Sequence, residues 1–117
     1  MSTVPIVIQN APYHSDNKAW HALRFAGAAM TEDMTVQAHL LDDGVEVGRK
    51  SHVVPEGKVD LEKLLVELIE CGLLVRACGM ALNGCAIDEA SMIAGVERGS
   101  MKALAAWVKG SDQVMVF

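Results

Sequence analysis

Three cysteines and four histidines hold most of the chemistry open to this chain. Cys78 ends a strand-like stretch, Leu73 to Ala77, that is apolar except at Arg76, and is followed by Gly79. A thiol at the end of a buried strand suits nucleophilic sulfur chemistry, and the adjacent glycine lets backbone or ligand approach closely. If Gly79 to Asn83 winds into a helical turn, its amides point near the sulfur, lowering the thiol pKa and favouring the reactive thiolate. The competing reading is a buried packing cysteine, the commoner fate of an unpaired thiol. Cys85, in a glycine-containing loop, reads as a resolving thiol, a second sulfur carrier or an incidental thiol. A redox pair between Cys78 and Cys85 requires Cα atoms within about 7 Å. Cys71, beside Gly72 at the end of a Leu-rich helix, reads as a packing or surface thiol.

His14 follows Pro12 and Tyr13 in the loop after the first apolar run. An imidazole there can activate or stabilise a thiolate, or can be a solvated loop histidine. Tyr13, His14 and nearby amides, with Pro12, Ser15 and Gly79, are the expected pocket around Cys78. His21 and His39 read as helix-surface and strand residues, and His52 has no assignment.

Other chemistries find little support. The Cys78-x6-Cys85 spacing is not a C-x2-C zinc pattern, so no metal is expected. The segment Asn10 to Ser15 has no glycine and is neither a dinucleotide fingerprint nor a Walker loop, so no cofactor is expected. A weaker option is a phosphate held by Ser15 and helix amides, as in flavodoxin-like folds. No G-x-S-x-G elbow and no paired carboxylates stand out.

The elements that must position these residues follow from alternating patterns. Val4 to Gln9 contains Ile6, Val7 and Ile8 in an unbroken apolar run, as in a strand buried on both faces. Pro12 and its polar neighbours form a loop, and Ser15 caps a helix to about Met30. Met34 to Leu41 is a second strand that Asp42-Asp43-Gly44 ends. Val45 to Gly57 reads mainly as loop, with room for a short helical turn. Asp60 caps a helix with Leu61, Leu64, Leu65 and Leu68 on one face, and Gly72 terminates it. Leu73 to Ala77 is the third strand. Cys78 to Ala86 is irregular or briefly helical. Asp88 caps a short helix through Ile93, and Val96 starts a short strand or a loop. Ser100 caps a last helix through Lys109, with Met101, Leu104, Ala105 and Val108 inward. Val114 to Phe117 closes the chain as a buried strand.

This order implies one α/β domain over residues 1–117: a three-layer α/β/α sandwich with a mainly parallel sheet of about five strands. In such sheets ligands gather beyond the carboxyl ends of the strands, where the Asn10 loop and Cys78 should meet.

Composition agrees. Of 117 residues, 51% are hydrophobic, 21% charged and only 4% aromatic, so aliphatic side chains and methionine fill the core. The net charge is -5 and the pI about 5.2, with no basic stripe, which argues against direct nucleic-acid binding. No apolar run reaches the ~20 residues of a membrane span, and no signal peptide is evident. An odd cysteine count without an export signal suggests reduced thiols in the cytoplasm.

The chain resembles the DsrE/DsrF-like family, and within it the small YchN-type proteins. The resemblance is carried by Ala11-Pro12-Tyr13 with Ser15, the run Ala22 to Ala26, Asp43-Gly44-Val45, and Val75-Arg76-Ala77-Cys78. Its most family-like stretch is Ile93 to Met101 with Val114 to Phe117. It implies homotrimers or homohexamers. It also implies sulfur relay through a cysteine persulfide at Cys78, between sulfur donor and acceptor proteins. Such a protein acts as a sulfur carrier or sulfurtransferase; a non-catalytic oligomeric ligand-binding module is the alternative. The chain departs from the pattern at Ala81, where some relatives have a second cysteine, and at Cys85, where they often have a basic residue. The absent C-x-x-C counts against dithiol redox chemistry.

Overall fold

The computed structural model describes residues 2–13 and 17–117. The expected helix cap at Ser15, and His14, lie outside these residues.

Strand β1 (Thr3–Ile8) is buried from Val4 to Ile8 because a strand flanks it on either side. Pro5 is tolerated inside it for a geometric reason. Val7 O accepts from Phe117 N at 2.8 Å, so odd-numbered residues of β1 address the neighbour at the chain's end. That neighbour reaches only Ile6 and Val7, so the N–H that Pro5 lacks would have had no ladder partner.

Helix α1 (Lys18–Thr31) buries Ala19, Ala22, Leu23, Ala26 and Ala29 at helical spacing, and the four alanines let it lie close to the sheet. Strand β2 (Thr35–Leu40) alternates, with Val36, Ala38 and Leu40 in the core beside α1 and His39 on the other face. A 3₁₀ segment, Asp42–Gly48, follows where mainly loop was expected. Gly44 makes this tight path feasible, since a Cβ there would lie 1.9 Å from Ile8 O. Helix α2 (Leu61–Glu70) is capped by Asp60, which accepts from Lys63 N at 3.2 Å, and buries Leu61, Leu65 and Leu68. Gly72, at φ 114°, turns the chain into β3 (Leu74–Cys78).

Helix α3 (Gly79–Gly84) leads to β4 (Val96–Gly99), α4 (Met101–Lys109) and β5 (Met115–Val116). The helix expected from Asp88 to Ile93 is only a 3₁₀ turn over Glu89–Ser91. The backbone beyond it pairs with the 48–50 segment instead, Ile93 N donating to Gly48 O at 2.7 Å.

The five strands are all parallel, in the order β4-β3-β2-β1-β5. Stepping from β1 through β3 in one direction puts α1 and α2 on one face; returning from β4 to β5 puts α4 on the other. The layers are unequal, because α4 alone covers the second face.

Two expectations for that face need correction. Helix α4 has no buried residue: Met101, Ala105 and Val108 are exposed, while Ala103, Leu104 and Trp107 turn partly inward. Trp107 sets this rotation, lying under the Arg76 guanidinium (4.5 Å) and against the edge of His39. Strand β5 pairs only with β1, so it is an edge and not a buried strand, and Val116 is 61% exposed.

Candidate functional site

Beyond the carboxyl ends of the strands lies an open cleft of about 760 Å³. Gln9 and Asn10 line it from the end of β1, and Leu41, Asp42 and Asp43 from the end of β2. Cys78 contributes from the end of β3, Met80, Ala81, Gly84 and Cys85 from α3 and its cap, and Met101 from the start of α4. The position has a topological cause. Cys78 and Gly99 are register partners at the ends of β3 and β4. Helix α3 then packs toward the core, burying Leu82, while α4 crosses the opposite face. Adjacent strands whose helices diverge open a crevice at their carboxyl ends, and Cys78 stands at its base.

Cys78 is 4% exposed and occupies the N-cap position of α3. Cys85 is exposed and is the C-cap residue of the same helix. Seven residues at about 1.5 Å rise separate their Cα atoms by roughly 10 Å, beyond the ~7 Å limit of a disulfide. The two thiols share the cleft, but their placement does not suit a direct redox pair. Cys71 is exposed at the end of α2 and does not line the cleft.

The expected pocket partners separate. The Tyr13 hydroxyl donates to Val59 O and accepts from Leu61 N, both at 2.9 Å. It thus lines a different, smaller cavity of about 130 Å³, with Trp20 and Lys58. Pro12 is buried and does not line the Cys78 cleft. The loop after β1 turns toward the start of α2 after Asn10, which takes both residues away from the thiol. Gly79 is also not a cleft residue. A Cβ there would lie 2.7 Å from Arg98 Nε, so this glycine makes room for a guanidinium and not for a ligand. Arg98 ties that corner together: it donates to Gly79 O at 3.3 Å and pairs with Glu89 at 2.6 Å.

His39 has the most unusual environment among the histidines described. It is fully buried, and neither ring nitrogen has a partner. Its Cε1 would be 3.4 Å from a Cβ on Gly99. Burial, with the nearby Arg76 charge, holds its pKa below the ordinary 6.5. Sequence pattern gave no warning, since Ala38-His39-Leu40 reads as an ordinary strand. His21 stacks on Trp20 on the exposed side of α1, and His52 Nε2 lies 2.6 Å from Glu46 O. Among the described residues no group of three His, Cys, Asp or Glu side chains could hold a metal, and no helix is long and apolar enough to cross a membrane.

The chain matches the DsrE/DsrF-like family over residues 3–117. An uncharacterised protein of Methanopyrus kandleri is 39% identical over the whole of this chain and 95% of its own length. One from Methanocaldococcus jannaschii is 38% identical over 96% of each chain. The Escherichia coli protein YchN is 29% identical over the full length of both. Its crystal structure superposes with a TM-score of 0.89, covering all of both chains at 27% identity. A protein of unknown function from Methanobacterium thermoautotrophicum shares the fold, with a TM-score of 0.79 at 15% identity, over 98% of this chain and 99% of that one. On the match from Thr3 to Phe117, the chain belongs to the DsrE/DsrF-like family.

Proposed function

We propose that this protein is a sulfur carrier that holds sulfane sulfur as a persulfide on Cys78. The observation that carries the reading is the cysteine's place at the end of β3, at the base of an open cleft where two helices diverge. In the loading step the Cys78 thiolate attacks the outer sulfur of a donor persulfide. A new S–S bond forms, the donor's S–S bond breaks, and the donor's inner sulfur leaves as thiolate. An acceptor thiolate then attacks the outer sulfur and regenerates Cys78. No external oxidant or reductant enters. Mass spectrometry after incubation with a cysteine desulfurase and cysteine tests the proposal. A +32 Da adduct (one sulfur) on wild type, lost in Cys78→Ser, is expected; no adduct, or equal loading of the variant, refutes it.

The 4% exposure of Cys78 favours a second reading, a ligand-binding module in which the thiol only packs. Iodoacetamide separates the two. Alkylation of Cys78 in native protein at a rate near that of exposed Cys85 supports the carrier. Alkylation only after denaturation supports the module.

The proposal includes assembly into a homotrimer or homohexamer. Exposed Met101 and Val108 on α4, with Val114 and Val116 at the β5 edge, support it. Native mass spectrometry should find three or six copies, and a monomer at micromolar concentration would exclude it. Three unpaired thiols suit a reducing compartment such as the cytoplasm.

A further inference from the structure

Sulfur relay meets a charge problem at the Cys78 cleft. The attacking group in thiol exchange is a thiolate, so an acceptor arrives carrying negative charge. The cleft faces it with more of the same sign. Asp42 and Asp43 line it, both are exposed, and neither is paired with a cation among the described residues. No lysine, arginine or histidine lines it among those residues. An acceptor must therefore bring its own positive charge to offset its thiolate against these carboxylates.

Size and lining indicate what carries that charge. At about 760 Å³ the cleft has room for several residues of chain, and a single small thiol would leave most of it to water. Cys78 lies at its base and is only 4% exposed, so a flat protein surface cannot reach the sulfur, whereas an extended segment can enter. Gln9 and Asn10 bring side-chain amides that both donate and accept, as a peptide backbone requires. Met80 and Met101, 83% and 57% exposed, offer flexible apolar contacts to a segment's side chains. We infer that the partner protein engages this cleft with a flexible basic segment whose cysteine is flanked by lysine or arginine. The inference rests on the sulfur-carrier reading and names the partner chemistry that reading leaves open. Asp42 and Asp43 then set specificity, turning away anionic thiols.

The test uses protein carrying Cys71→Ser and Cys85→Ser, so that only Cys78 reacts, and short cysteine peptides activated as thiopyridyl disulfides. The Cys78 thiolate forms a new S–S bond with the peptide sulfur, and the coloured pyridinethiolate leaves. Each rate is divided by that of the same reagent with N-acetylcysteinamide, a neutral thiol. At low ionic strength a lysine-flanked peptide should react at least about tenfold faster than a glutamate-flanked one of equal length. It should also outpace the corresponding disulfide of cysteamine, a small cationic thiol, at least about threefold. The preference for the basic peptide should collapse to within about twofold in Asp42→Asn, Asp43→Asn, where asparagine tolerates the φ of 51° at position 42. It should survive in Glu32→Gln, Asp33→Asn, which removes the same charge at the opposite edge of the sheet. Equal rates for the two peptides, an equal loss in both double variants, or a cysteamine disulfide as fast as the basic peptide would overturn the inference and leave the sulfur carrier standing. No reaction with any reagent would instead sink the carrier reading, and this inference with it.

Discussion

Cys78 and Gly99 lie side by side at the ends of β3 and β4, and the chain leaves them toward opposite faces of the sheet. The divergence that opens the cleft therefore depends on how closely Gly99 approaches β3. A Cβ at Gly99 would sit 2.9 Å from Arg76 Cβ and 3.4 Å from His39 Cε1. The first is a stiff neighbour fixed to the backbone, so β4 must shift outward. Gly99→Ala is expected to cost about 1–3 kcal/mol of stability, as overpacked sites do. It should also change the rate of Cys78 alkylation, because α4 and Met101 move with β4. Chemical denaturation and native alkylation check the two effects, and a variant unchanged in both would mean the approach is not tight.

The parallel sheet was legible because buried strands are mostly apolar on both faces: Ile6 to Ile8 is an unbroken apolar run, and Leu73 to Ala77 is apolar except at Arg76. The place of Cys78 was legible for the same reason, since the run ends there. What failed depended on contacts remote in sequence. The stripe Met101, Leu104, Ala105 and Val108 reads as inward, yet α4 rotates about Trp107 to meet Arg76 and His39. No local pattern announces that pairing. Tyr13 looked like a neighbour of the thiol because its loop starts at the same sheet edge. Its hydroxyl is instead taken up by backbone 46 and 48 residues away.

That bridge sets the next expectation. Tyr13 accepts from the first amide of α2 and donates to Val59 O, fixing the approach of the 55–60 segment. Tyr13→Phe leaves both backbone groups short of a partner and should cost about 1–3 kcal/mol. Because Tyr13 lines the other cavity, persulfide loading of Cys78 should be unchanged at a temperature where the variant is folded. A large loss of loading with unaltered stability would return Tyr13 to the thiol pocket.

His39 gives the pH dependence. Its ring is buried without hydrogen-bond partners beside Arg76, so the folded protein binds its proton less readily than the unfolded chain, where the pKa is near 6.5. The sign follows from linkage: stability from this site is fully present above pH 6.5 and is lost as the pH falls below it toward the lowered folded value. Over that window the slope approaches about 1.4 kcal/mol per pH unit. Trp107 rests on this histidine, so its fluorescence reports the transition as α4 loosens. Replacing His39 by leucine removes the titrating group and also the two unpartnered nitrogens, which is close to neutral or stabilising at pH 7.5. Urea denaturation at pH 7.5, 6.5 and 5.5 should therefore give falling stability for wild type and a flatter profile for His39→Leu. Parallel profiles would mean that another group controls the acid side.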